Sequence, residues 1–210
     1  IRAGMQAIAN TGHEDVMRQE LAGVVRRVVN AIDTSMTFDV TDAERDVLLS
    51  AANVVTLART GVTYDYRGDV VDAHAPEMPT RFSKQLAQVV RGCLALGIER
   101  GQALRLAIRC ARDSMPPLRL ALLDDVAANP NSSTKEIRRR LGKPRATVDR
   151  QLQALQMLGV VTCDEEEDEL AGKPITIWRY RLTSGIDPDV LNPDAIAIPE
   201  KSVAATGNLS

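Results

Sequence analysis

Residues 132–161 read SSTKEIRRRLGKPRATVDRQLQALQMLGVV, and how this stretch folds decides the architecture. Ser132, Ser133 and Thr134 are helix-capping residue types. Ile137 and Leu141 lie four apart, so both can bury one side of a short helix. Gly142-Lys143-Pro144 then forces a tight turn, because the residue before proline avoids helical angles. Beyond it Val148, Leu152, Leu155 and Leu158 fall on one stripe of a longer helix, and Gly159 supplies its left-handed stop. Five cations, Arg138, Arg139, Arg140, Lys143 and Arg145, crowd into eight residues. From Lys135 to Arg150 seven Lys/Arg stand against Glu136 and Asp149, a local balance of +5.

The flanks extend this pattern. Leu118 to Ala128 predicts a short helix upstream, with Leu122 and Val126 on one side. Downstream, Val160 to Cys163 and Ile175 to Leu182 alternate as strands. Between them Asp164 to Glu169 is an unbroken acidic run, expected to form the turn joining the strands. The order helix, helix, sharp turn, helix, strand, turn, strand over about residues 116–183 resembles the winged helix-turn-helix of the bacterial MarR and ArsR regulators. That resemblance implies a dimeric repressor reading double-stranded DNA through the major groove.

The spacing gives the same geometry independently. With its leucines buried, the longer helix presents Arg145, Thr147, Arg150 and Gln151, which are the expected base contacts. A major groove admits one helix, whose Arg and Gln side chains can pair with guanine and adenine edges. Ser133, Thr134, Lys135, Arg138 and Lys143 are the expected phosphate contacts, since helix starts and cations attract phosphate. The acidic run departs from relatives whose basic wing tip enters the minor groove. Six carboxylates there would be repelled by phosphate, so a solvated turn is expected. Two other readings stay open: a winged-helix protein–protein adaptor, and the accessory end of a DNA-dependent ATPase or helicase.

Residues 1–115 are expected to be a helical linker, lid or dimerisation segment. Met17, Leu21, Val24 and Val28 follow a 4-3-4 spacing from Glu14 to Ile32, which suits a dimer face or plain core. Thr41-Asp-Ala-Glu44 is a capping box opening a helix to about Thr60. Gly61 to Thr80 predicts an ordered loop or short hairpin. Helices follow at about 81–96 and 100–114. Met115-Pro116-Pro117 marks the expected domain boundary. The stretch from Ala73 to Arg91, with Ile108 to Pro117, resembles the region between a P-loop ATPase domain and a C-terminal helix-turn-helix in actinobacterial and phage proteins. This implies an upstream ATPase domain and gives Arg81 the place of a nucleotide-sensing arginine. The sequence itself holds no GxxxxGK[ST], and so no phosphate-cradling loop.

The fold class expected is therefore mainly α, an N-terminal helical segment followed by a winged helix-turn-helix with a two-stranded wing. Residues 184–210, with four Asp/Glu and three Pro, are expected to be a disordered tail. The net charge of −2 confines any nucleic-acid surface to a local patch, and 3% aromatics argue against base-stacking platforms. Three scattered cysteines and two distant histidines suggest neither a disulfide framework nor a metal site, so no cofactor is expected. Cys93 and Cys110 are expected to be buried, and Trp178 to sit in the core. No enzyme constellation is found, and a cytoplasmic location without membrane association is expected. The first residue, Ile1, suggests a processed protein or part of a longer chain.

Overall fold

A computed structural model describes residues 2–33, 35–170 and 173–196. The element order is α1 (Arg2–Ala9), α2 (Glu14–Asn30), α3 (Asp42–Arg59), β1 (Val62–Tyr64), β2 (Val70–Ala73), α4 (Pro79–Ala95), α5 (Arg100–Asp113) and α6 (Pro117–Ala128). It continues with β3 (Ser132–Ser133), α7 (Thr134–Leu141), α8 (Arg145–Met157), β4 (Val161–Leu170) and β5 (Lys173–Leu182), then a 3-10 turn, Pro188–Leu191. The fold is mainly α with small antiparallel sheets, as expected from the sequence.

Helix α3 starts where its capping box dictates. Thr41 Oγ1 accepts from the Glu44 amide, and the Glu44 carboxylate accepts from the Thr41 amide at 2.8 Å. Glu44 is buried and carries a second load: Arg100 of α5 donates to both its oxygens at 2.7 and 3.0 Å. The cap thereby ties the start of α3 to the start of α5. Leu48 and Val55 of α3, Leu86 and Val90 of α4, and Leu104 and Ile108 of α5 close the core of this half. Pro117 occupies the first turn of α6, where its fixed φ suits a helix start. Met115 just before it is buried, so the chain turns here without leaving the core.

In the second half, β3 pairs with β5 and β5 with β4, in the order β3-β5-β4. Leu122, Val126, Ile137, Val148, Leu152, Leu155 and Tyr180 fill the space between α6, α7, α8 and this sheet. The buried residues of both halves join in one cluster.

Four expectations are corrected. The acidic run is strand rather than turn: Asp164 to Glu169 pair with Arg179 to Pro174 along a ten-residue β4. Arginines on β5 make this tolerable, with Arg179 donating to Glu166 at 2.6 Å and Arg181 to Asp164 at 3.0 Å. Trp178 is 40% exposed on the wing, since its cross-strand neighbour is Glu165, beyond the reach of the core. Cys110 is exposed and Cys93 half-buried, because each lies at the edge of its helix's apolar stripe. Finally, residues 184–196 pack: Leu191 is fully buried, and the turn carrying it touches α3, α5 and α6. The rest of the expected tail, 197–210, lies outside the described residues.

Candidate nucleic-acid interface

Helix α7 is fixed by a second capping box. Ser133 Oγ accepts from the Glu136 amide, and Glu136 accepts from the Ser133 amide at 2.8 Å. Gly142 ends the helix at φ 62°, a left-handed conformation that costs glycine nothing. The Lys143 amide closes back onto the Arg138 carbonyl at 3.1 Å, and α8 begins one residue after Pro144. Val148, Leu152 and Leu155 are fully buried, so the register of α8 is locked. Arg145, Thr147 and Arg150 are left exposed on its first two turns.

The cationic run divides by role. Arg140 is structural, donating to both oxygens of buried Asp125 at 2.8 Å and to Ser132 Oγ at 2.8 Å. Arg138 is half-buried, and its Nε has no partner. Lys135, Arg139, Lys143, Arg145 and Arg150 are exposed and form no ion pair among the described residues. These five form the free positive surface. Ser133 and Thr134 are already engaged. Ser133 Oγ donates to Glu136 at 2.7 Å, and Thr134 Oγ1 lies 3.5 Å from the Asp149 carboxylate.

Gln151 differs from its three neighbours. It is half-buried, its carbonyl accepts from Arg119 Nε at 2.9 Å, and its amide reaches the Tyr64 hydroxyl at 3.4 Å. Arg119 is only 6% exposed and also donates to the carbonyls of Ala58 and Thr60 at 2.9 and 2.6 Å. Position 151 is thus wired to the end of α3 rather than presented to solvent. The β1–β2 hairpin lies along this flank of α8. Its turn carries Gly68 at φ 88°, and a Cβ there would come within 2.5 Å of Arg150 Nη2. Glycine is what lets the hairpin approach the guanidinium this closely. Arg119, Tyr64 and Gly68 were all missed by sequence reasoning, since no local pattern marks them.

The electrostatics on the other side come from the wing. Its acidic strand is partly neutralised by Arg179 and Arg181, and Arg179 also reaches Glu136 at 3.1 Å. The Ser133 amide, then the Ser133 hydroxyl, hold the Glu136 carboxyl below the usual glutamate range. Burial pushes the Tyr180 phenol far above its ordinary value. Tyr180 therefore stays neutral beneath the wing.

The remaining candidates do not assemble into a site. Arg81 is exposed at the start of α4, 3.8 Å from Glu77, which also pairs with Arg59. His74 lies 3.3 Å from Thr63 Oγ1. No cluster of three or more metal-ligating side chains occurs among the described residues, and no described helix is long and apolar enough to cross a membrane.

The pattern of the IclR helix-turn-helix domain matches residues 120–165, from α6 through α7 and α8 into β4. No curated protein matches the chain. No solved structure matches it either. Residues 120–165 thus form a DNA-binding helix-turn-helix domain of the IclR type. The type matched differs from the MarR and ArsR types that the sequence resembles.

Proposed function

We propose that this protein reads double-stranded DNA by sequence and acts in transcriptional control, with α8 entering the major groove. One observation carries the reading. The first two turns of α8 expose Arg145, Thr147 and Arg150, while Val148, Leu152 and Leu155 anchor the helix beneath. A recognition helix touches base edges with its N-terminal residues, and an arginine there can grip guanine through two hydrogen bonds. Lys135 and Lys143, with half-buried Arg138 in the middle of α7, would hold phosphates, and Ser133 and Thr134 at its start join them on giving up Glu136 and Asp149. Exposed Arg139, outside the expected set, joins them. Gln151 contributes to base reading only after releasing Arg119 and Tyr64. The acidic wing keeps its strands off the phosphates, so the helix rather than the wing supplies the affinity.

The test is titration of fluorescent genomic duplexes at two salt concentrations. Binding should weaken steeply with salt. Arg145→Ala should cost about 1–3 kcal/mol and relax sequence preference, whereas Lys143→Ala should weaken all duplexes alike and lower the salt slope by about one. Absence of any salt-sensitive duplex binding by the wild type would replace this reading with that of a protein–protein adaptor.

A further inference from the structure

Helix α2 stands apart from the rest of the fold because none of its 17 residues is buried. Met17, Leu21, Val24 and Val28 form a continuous stripe, flanked by Val25, and each of the five is between 45% and 64% exposed. Burying such a stripe is favourable in proportion to its apolar area. An isolated helix of this length is also marginal in water, so most of its stability must come from packing. The neighbouring α1 likewise buries nothing, and Met5 and Ile8 are exposed.

The charges beside the stripe say what covers it. Glu20 and Arg27 lie seven residues apart, two helical turns, and therefore on the same flank. We infer that α2 pairs with α2 of a second copy of this chain in an antiparallel arrangement. In that arrangement Leu21 packs on Val24 of the partner subunit, and Met17 on Val28 of the partner subunit. A two-fold axis at the middle of the helix brings like flanks together. Glu20 then faces Arg27 of the partner subunit, and Arg27 faces Glu20 of the partner subunit, giving two symmetric ion pairs. A parallel pair would set Glu20 against Val25 of the partner subunit and leave both charges unpaired, since parallel helices match opposite flanks. Every acidic residue of α2 (Glu14, Asp15 and Glu20) precedes Arg26 and Arg27, so reversing one helix also matches the overall polarity. The interface is isologous, as a closed dimer requires. It does not depend on the DNA reading.

Sedimentation of the 210-residue protein across a concentration series tests this without DNA. The wild type should be a dimer. Leu21→Asp should sediment as a monomer with an unchanged thermal transition, because α2 contributes nothing buried to the rest of the fold. Glu20→Arg and Arg27→Glu should each weaken the dimer about three- to tenfold, the size expected of two exposed ion pairs replaced by repulsions. Combining the two substitutions should restore wild-type affinity. A monomeric wild type, a dimer indifferent to Leu21→Asp, or a double variant no better than the singles would each overturn the inference. The last outcome would point to parallel or unrelated packing, and the first to a different partner on the stripe.

Discussion

Two antiparallel hairpins touch helix α8, and they are held in opposite ways. The β1–β2 hairpin has strands of three and four residues and leans on α8 through Tyr64 and the Gly68 turn. The chain leading into it is fastened by buried Arg119, which donates to the carbonyls of Ala58 and Thr60 at the end of α3. The wing has strands of ten residues and holds itself together with surface ion pairs. Both hairpins are acidic: Asp65, Asp69 and Asp72 against Arg67 in the first, and Asp164 to Glu169 against Lys173, Arg179 and Arg181 in the second. The cationic start of α8 thus forms a strip between two negative flanks. The first flank is coupled to α8 through Tyr64 and Gly68, and the second only shapes the field around it.

Removing the buried fastener should have the largest effect. Arg119→Met leaves the carbonyls of Ala58 and Thr60 without their donor, at about 1–3 kcal/mol for each unsatisfied group. Urea denaturation should show a loss of about 3 kcal/mol, with Gln151 released from its partner. A loss below about 1 kcal/mol would mean that water substitutes for the guanidinium, and the two hairpins would no longer differ in kind.

A smaller effect is expected at the contact itself. Gly68→Val forces a β-branched residue into a left-handed φ and pushes the exposed Arg150 guanidinium aside, for a cost of about 1–3 kcal/mol that comes from the backbone. Amide exchange in residues 62–73 should speed up while the wing is unaffected. Equal acceleration in both hairpins would show that they are coupled.

The smallest change belongs to the wing. Arg179 is half-buried but its partners Glu136 and Glu166 are exposed, so Arg179→Gln should cost less than about 1 kcal/mol. Its signature is acid sensitivity. The folded-state pKa of Glu136 is depressed, so its contribution is present above the unfolded value and is lost as pH falls through the folded one. Stability measured from neutral to acid pH should therefore fall less in Glu136→Gln than in the wild type. Identical slopes would show that the Ser133 capping box does not hold the Glu136 carboxyl ionised.

Features that depend on near neighbours in sequence were legible in advance. Both capping boxes, the Gly142 and Gly159 stops and the buried face of α8 follow from spacings of three and four residues. The features that reshape the candidate surface depend on distant partners. Arg119 finds Ala58 and Thr60 about sixty positions away, and nothing near it in sequence distinguishes it from a surface arginine. Six acids in a row carry little strand propensity, and their strand is visible only once β5 is paired beside them, with Arg179 and Arg181 reaching Glu166 and Asp164. Leu191 sits among aspartates and prolines, where Ile186, Val190 and Leu191 follow neither a helical nor a strand period.

That leucine has a practical meaning for anyone dividing the molecule. The 3-10 turn from Pro188 to Leu191 follows the last wing strand, yet it plugs a seam shared by α3, α5 and α6, with Ile186 and Val190 packed beside it. A protease or a cloning boundary that severs the chain after Leu182 would pull the stopper from both halves at once, wetting an interior that neither half can reseal.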